Sequence, residues 1–517
     1  MSEPARVPDL DKDIAALVQP FDEYNRELVD NVHPTSWVNP EPKEKYQLVV
    51  IGGGTAGLVS AAIGAALGAD VAMIERRMLG GDCLNYGCVP SKALIAAARA
   101  WQEARRVAAR FGGPAAEGEG DFAAVMERMR RLRAGISHHD SASRFDELGV
   151  DVFIGEGRFS SSQTISVGDQ ELRFRRAIIA TGARPATPAI PGFDEAGYLT
   201  NESIFTLTEL PKRLGVIGGG PIGCELAQSF ARFGSHVTIF DLAPQVLFRE
   251  DPDAAAVVQA ALVDDGVALE LGCTIQQIET SDQGKVVVTE DDGAIGRTEV
   301  DEILLAVGRL PNVDGIGLEQ AGVEFDPRVG VTVDDRLQTT NSRVFAVGDV
   351  ASKYKFTHMA DALAGIAVQN SLFFGRARAS RLVVPWCTYT SPEIAHVGMY
   401  ETDAMQQGLE VETITVPMAE VDRSILEGTT DGFLRVHLKR GSDQILGATL
   451  VSEHAGDIIS ELTVAITHGI GLGKLAATIH PYPTQAEVIR KAANEWRKTK
   501  LTPTAKKVFG AFFKVFR

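Results

Sequence analysis

The longest uncharged stretch of the chain runs for 24 residues, from Tyr46 to Ala69, long enough to cross a bilayer. Its internal pattern points elsewhere. An apolar run, QLVVI, leads into glycines at 52, 53, 54, 57, 64 and 68, clustered where a strand turns into a helix. Residues 47–76 are expected to form an apolar strand, a glycine turn, a small-residue helix and a second strand ending in a carboxylate. The same pattern returns 166 positions later, where QLVVIGGGTAGLVSAAIGAALGADVAMIER (47–76) aligns with RLGVIGGGPIGCELAQSFARFGSHVTIFDL (213–242). Gly52, Gly54 and Gly57 map onto Gly218, Gly220 and Gly223, and Glu75 maps onto Asp241.

The spacing has a physical reason. The first glycine permits a tight turn, and the second lets a pyrophosphate approach backbone N–H groups at a helix N-terminus. The third lets helix and strand pack closely. The acidic residue, 23 positions after the first glycine in both copies, accepts hydrogen bonds from an adenosine ribose. Two copies in full strand–turn–helix–strand context point to two dinucleotide sites. Asp241 suits the 2′-hydroxyl of NADH and repels the 2′-phosphate of NADPH, although Arg249 lies close in sequence and weighs the other way.

Composition narrows the classes. The 517 residues suggest about three domains. A formal net charge of −17 disfavours nucleic-acid binding. Five cysteines are too few for a secreted disulfide scaffold. The start, MSEPARVPDLDKD, lacks a basic and an apolar leader region, so the expected compartment is the cytoplasm.

Chemistry concentrates just after the first repeat, in LGGDCLNYGCVPSKALIAAARA. Cys83 and Cys88 are five positions apart, too far for easy bridging on a regular helix. The irregular Asn85-Tyr86-Gly87 segment can bring them together. Pro90 marks a first helical turn, and a thiol at a helix N-terminus with Lys92 one turn on is stabilised as thiolate. The pair therefore reads as a reversible catalytic disulfide, or else as two buried cysteines packing as small hydrophobes. Cys224, Cys273 and Cys387 are expected to be the packing kind.

With GGGTAG before it, GGDCLNYGCVPSK resembles the class I pyridine nucleotide–disulfide oxidoreductases, which include glutathione reductase, lipoamide dehydrogenase and mercuric reductase. Ala180-Thr181-Gly182, the VGRLPN stretch with Gly308 and Arg309, and TNSRVFAVGD with Gly348 and Asp349 agree with it. The resemblance covers residues from about 46 to about 500. It implies an α/β protein: two Rossmann-like dinucleotide-binding domains, for FAD and NAD, plus a C-terminal α+β dimerisation domain. The expected divisions are an extension (1–45), a first FAD part (46–195), an NAD(P) domain (196–308), a second FAD part (309–385), a dimerisation domain (386–500) and a basic tail (501–517). It also implies FAD on the first repeat and the nicotinamide on the second. Thr181, Gly182, Gly308, Arg309 and Gly348 then join the cofactor-binding positions, with Asp349 on the ribityl chain. Lys92 and Glu225 pair beside flavin N5, Cys88 faces the flavin and Cys83 meets the substrate.

The likeness breaks at one place. The family's acid–base histidine sits in an HPTxxE signature that reaches the other subunit's site. Here the chain reads IHPYPTQAEV, so Tyr482 takes the histidine's place and Glu487 completes the signature. Histidine titrates near 6.5 and tyrosine near 10, about 3.5 units apart, so an unperturbed phenol is a poor proton shuttle at neutral pH. His480, on the same face as Tyr482 in an extended segment, is the candidate substitute. A metal ion captured by thiolates needs electrons more than that proton. Mercuric reductases resemble the chain here, carrying tyrosine at this position, and LFREDP (247–252) resembles the same subgroup. The subgroup's adjacent cysteine pair is absent from the ending KKVFGAFFKVFR, and no N-terminal CxxC module is present.

The resulting expectation is a homodimeric, mercuric-reductase-like flavoprotein that uses NADH in preference to NADPH. Its acceptor would be a small molecule or metal ion such as Hg(II) or a disulfide. Cys83 and Cys88 would serve as transient Hg(II) ligands, with no structural metal. The alternatives are a dihydrolipoamide-dehydrogenase-like enzyme using His480, and a non-enzymatic flavin-containing scaffold. At the ends, a short helix is expected around Asp11–Val29 in a surface extension. Phe509, Phe512, Phe513 and Phe516 make one aromatic helical face among Lys506, Lys507, Lys514 and Arg517, suited to peripheral contact with an anionic membrane or to docking on the protein's own dimer. His138 and His139 are expected to point apart on a helix, in a solvated or packing role.

Overall fold

The computed structural model describes residues 12–114, 116, 120–282, 284–373 and 375–516. They form two compact units. The first contains both glycine-turn repeats. Val150–Ile154, Val71–Glu75, Tyr46–Ile51, Gln170–Ile179 and Val344–Ala346 lie side by side in parallel, with Val49 between Ala72 and Ala177 in register. Five of the six residues of Tyr46–Ile51 are buried. A parallel strand covered on both faces is apolar throughout rather than alternating, which is why QLVVI reads as one run. Helix Thr55–Ala66 follows the turn, and a Cβ on its Gly64 would lie 3.0 Å from the Val71 side chain and 3.2 Å from Leu48.

The second repeat builds Arg213–Ile217, parallel to His236–Asp241 on one side and Glu302–Leu305 on the other. Helix Pro221–Phe233 follows its glycines. An antiparallel sheet of Thr274–Ser281, Gly284–Asp291 and Ala294–Val300 belongs to the same unit.

The second unit is α+β. Its antiparallel sheet runs in the order Pro385–Thr388, Glu393–Gly398, Ile445–Ser452, Phe433–Lys439, Val411–Pro417. All eight residues of Ile445–Ser452 are buried. Leu434, Val436 and Leu450 pack in one core with Leu462 of helix Ala455–Thr467 and Ile489 of helix Glu487–Thr499.

Two local expectations need correction. In place of one helix near Asp11–Val29 there are two, Lys12–Leu17 and Glu23–Val32, separated around Pro20; Asp11 itself lies outside the described residues. Nor does this segment merely lie on the surface, because Ile14, Val18, Asn25, Leu28, Val29 and Val32 are all at most 2% exposed. His138 and His139 sit in the 3-10 turn His138–Asp140, with ring centroids 3.8 Å apart. A 3-10 turn separates adjacent side chains by about 120°, so the rings meet through their side-chain torsions and not through the winding, with His138 Nδ1 2.7 Å from the Gly135 carbonyl oxygen.

Candidate active site of a flavoprotein dithiol oxidoreductase

Both glycine turns have the form their spacing demands. Gly52 and Gly218 adopt φ of 106° and 110°, where a side chain would be strained. A Cβ on Gly57 would come within 1.7 Å of the Gly52 carbonyl oxygen, and one on Gly223 within 1.9 Å of that of Gly218. By contrast, Gly220 has nothing within 4 Å of its would-be Cβ, and Gly54 and Gly220 each begin a helix without a side-chain cap. Free N–H groups facing open space at a helix start are what a pyrophosphate uses. The carboxylates recur too. Glu75 Oε2 accepts from the Gly53 N–H at 2.6 Å, and Asp241 Oδ2 from the Gly219 N–H at 2.5 Å. Burial raises the Glu75 pKa, opposed by the Arg77 and Gly53 N–H groups.

The scattered motifs meet in three dimensions. Ala183–Pro185 pairs with Arg309–Pro311. Thr181 Oγ1 donates to the Asn312 carbonyl at 2.7 Å, and Asn312 Nδ2 returns a bond to the Thr181 carbonyl at 2.9 Å. Gly182 and Gly308 take positive φ with nothing near their would-be Cβ atoms, and Gly348 also takes positive φ. Arg309 donates through Nη2 to the Ala183 carbonyl and through Nη1 to Asp82, and its Nε lies 3.7 Å from Asp349. That buried Nε has no hydrogen-bond partner. Desolvation raises the Asp349 carboxyl, while Arg309 and Lys355 pull it down. An open glycine cradle, a carboxylate recurring at the end of the second strand of each repeat and an orphaned buried donor beside Asp349 suit a dinucleotide such as FAD.

The cysteine pair lies where one helix stops and another starts. Cys83 belongs to Gly81–Asn85, and Cys88 is the first residue of Cys88–Phe111. The break at Tyr86-Gly87 lets the two thiols turn toward each other and share a hydrogen bond. Cys83 is half-buried and Cys88 exposed. Cys88 is pulled down to about 6, chiefly by the bond from Cys83, then by Thr357 and the Lys92 charge, with burial opposing. Cys83 moves up, because its proton is the one shared with Cys88 and because burial penalises its charged form. Lys92 Nζ reaches Glu225 Oε2 at 2.7 Å. Thr357 Oγ1, 3.3 Å from Cys88 Sγ, carries no sequence signal beyond opening helix Thr357–Leu372. Of the remaining cysteines, Cys224 and Cys273 are buried and Cys387 is half-buried. Among the described residues no group of three or more His, Cys, Asp or Glu could hold a metal ion.

In the second unit, Tyr482 is 67% exposed and donates to Asp422 Oδ2 at 2.9 Å. That bond is the main cause raising its pKa. His480 turns its ring inward, with Nε2 3.0 Å from Glu461 Oε1 and its side chain 5% exposed. Glu487 is buried and bonded to Arg490, with Oε2 left without a partner. His480 and Tyr482 thus have separate partners.

Two nucleotide cradles, an adjacent dithiol and a Lys–Glu pair define a flavin-dependent dithiol oxidoreductase. Comparison with known proteins supplies the family. The model of pyridine nucleotide-disulphide oxidoreductases matches residues 46–364, and that of their dimerisation domain matches residues 384–493. A mercuric reductase of Bacillus cereus is 34% identical over 490 residues, covering 94% of this chain and 78% of that protein. A dihydrolipoyl dehydrogenase of Chlamydia muridarum is 33% identical over 459 residues, 87% of this chain and 96% of its own. Among solved structures, the HOCl-induced flavoprotein disulfide reductase RclA of Escherichia coli superposes with a TM-score of 0.78 at 29% identity, covering 87% of this chain and 99% of that one. The chain belongs to the pyridine nucleotide-disulphide oxidoreductases. It is therefore an FAD-dependent oxidoreductase that uses NAD(P)H and a disulfide redox centre, and the scaffold alternative falls away. No helix among the described residues is long and apolar enough to cross a membrane.

Proposed function

We propose that Cys83 and Cys88 form the redox pair of an NADH-dependent enzyme whose acceptor is a soft metal ion, Hg(II) first, or else a disulfide. The observation that carries this reading is the hydrogen-bonded dithiol with one sulfur held as thiolate beside the Lys92–Glu225 pair. The flavin supplies two-electron transfer between the nicotinamide and the cysteine disulfide. Gly52, Gly54, Gly57 and Glu75 would hold its adenosine diphosphate part, and Asp349 its ribityl chain. Gly218, Gly220, Gly223 and Asp241 would hold NADH. In the reduced pair, Thr357 and Lys92 keep Cys88 charged while Cys83 meets the acceptor. With Hg(II) both sulfurs act as ligands, and the overall change is Hg(II) + NADH → Hg(0) + NAD⁺ + H⁺. The protein acts as a homodimer in which Tyr482 and Glu487 of the partner subunit close the pocket. A working dithiol suits the reducing cytoplasm.

The choice of metal over disulfide rests on Tyr482. Its phenol, raised further by Asp422, stays protonated at neutral pH and is a poor base, which a metal acceptor tolerates. A second reading has support of its own, since His480 paired with Glu461 is built as a proton carrier. NADH oxidation measured against Hg(II) with excess thiol, lipoamide, glutathione disulfide and quinones separates the two. Hg(II) turnover is expected to survive His480→Ala and to drop about tenfold in Tyr482→Phe, which removes a phenolic oxygen able to serve as an additional metal ligand. Lipoamide turnover that collapses in His480→Ala would replace the metal reading.

For the tail, helix Pro503–Val515 leaves Phe509, Phe512 and Phe513 at least 52% exposed, with Phe516 beside them at its end. Lys506, Lys507 and Lys514 flank this face, and we propose that it rests in an anionic lipid interface. Full-length protein is expected to co-sediment with anionic liposomes, and protein ending at residue 500 is not. Equal binding by both would remove the proposal.

A further inference from the structure

Helix Phe122–Ser137 sends a guanidinium into the interior beside the redox turn. Arg133 is 2% exposed, and its hydrogen bonds go to two neutral oxygens. Nη1 donates to the Asn85 carbonyl at 2.8 Å and Nη2 to Asn25 Oδ1 at 2.6 Å. Burial pulls its pKa down to about 10. A buried cation without a carboxylate on its hydrogen bonds is costly, so what it holds matters.

At one end it holds the segment that joins the two thiols. Asn85 closes helix Gly81–Asn85, where terminal carbonyls lack intrahelical partners. Its side-chain amide is itself folded back onto the Leu79 and Gly81 carbonyls. At the other end Arg133 is held by the N-terminal segment. Asn25 is fully buried and donates to the Val18 and Pro20 carbonyls, both at 2.9 Å. Further ties run alongside. Arg130 Nε bonds Asp22 Oδ2 at 2.5 Å, Asn31 Nδ2 bonds Ser137 Oγ at 2.9 Å, and Leu79 N–H bonds the Val32 carbonyl at 3.0 Å.

From this chain of contacts we propose that Arg133 is a positioning residue for the redox pair: anchored by Asn25, it fixes the Asn85 carbonyl and so keeps Cys83 and Cys88 at bonding separation. The N-terminal segment is then part of the redox apparatus rather than an appendage. The inference rests on the assignment of Cys83 and Cys88 as that pair. Holding two thiols together raises the effective concentration of each at the other and favours the disulfide. The equilibrium that reads this is Cys83–Cys88 disulfide + 2 glutathione ⇌ dithiol + glutathione disulfide. Two electrons and two protons pass from the two glutathione thiols to the protein sulfurs.

The test uses FAD-loaded, full-length protein equilibrated in glutathione buffers, with free thiols trapped by alkylation and counted by mass. Arg133→Met and Asn25→Leu are each expected to move the ratio about tenfold toward dithiol, about 30 mV less negative. Asn25→Asp keeps an acceptor for Nη2 and loses the donor to the Val18 and Pro20 carbonyls, so it should move the ratio less than Asn25→Leu does. An unchanged ratio in both apolar variants overturns the proposal, even if both melt earlier. Equal movement by Asn25→Asp and Asn25→Leu overturns the route through Nη2. If Arg133→Met does not fold, Asn25→Leu decides alone, because it keeps the Arg133 guanidinium and removes only its anchor. A parent protein that never forms the disulfide in oxidised glutathione would bring down the redox assignment itself.

Discussion

Cys88→Ser is expected to abolish the long-wavelength thiolate-to-flavin absorbance that NADH produces in the parent under anaerobic conditions, and to lower turnover by about a thousandfold or more. FAD content should stay unchanged, because Cys88 is absent from both glycine cradles. The pH dependence of the band follows from the direction of the shift. Cys88 is lowered to about 6, first by the Cys83 hydrogen bond, so the thiolate is present above that value and lost as pH falls through it. Between pH 7 and pH 5 the absorbance of the two-electron-reduced parent should fade. Cys83→Ser removes the acceptor-facing thiol and weakens the bond that lowers Cys88, so the surviving band should fade at higher pH. A Cys88→Ser protein with the band intact, or with more than a tenth of parent turnover, would contradict the assignment.

The second large effect is expected at Asp241. Its Oδ2 accepts from the Gly219 N–H at 2.5 Å, so truncation would disturb the turn as well as the charge. Asp241→Asn is the sharper change: it keeps an oxygen acceptor for that N–H and removes only the negative charge. NADPH, whose 2′-phosphate the carboxylate repels, should gain, and NADH should lose a charge-assisted hydrogen bond. The ratio of kcat/KM for NADH over NADPH is expected to fall about tenfold to a hundredfold. Steady-state kinetics with both nucleotides checks this, and a ratio within about twofold of the parent would mean that Asp241 does not set the preference.

The legible parts of this protein share a property. Gly57 is glycine because a Cβ would strike the Gly52 carbonyl oxygen at 1.7 Å, a clash between residues five positions apart. A local steric demand of that kind leaves a local sequence trace, and the repeat at Gly218 and Gly223 doubles it. The cysteine pair is legible for the same reason, since the break at Tyr86-Gly87 lies within the motif. The partners of these groups are another matter. Thr357 is 269 positions from Cys88, Glu225 is 133 from Lys92, and Arg133 is 48 from Asn85. Lys92–Glu225 came into view only through a family likeness, and Thr357 and Arg133 did not come into view at all. The inward turn of His480 onto Glu461 and the outward turn of Tyr482 onto Asp422 were equally hidden, because each depends on a helix remote in sequence.

By itself the amino-acid order determined two glycine turns of nucleotide-cradle form and a close cysteine pair between them, since each is written in short-range backbone geometry, whereas Tyr482 in the histidine's place was legible only through the family resemblance. Tertiary structure alone decided which side chains tune those sulfurs and that residues 18–32 are stapled behind the redox turn. Those contacts arise from packing between distant segments, where many residues satisfy the same local pattern and only the folded neighbourhood selects one.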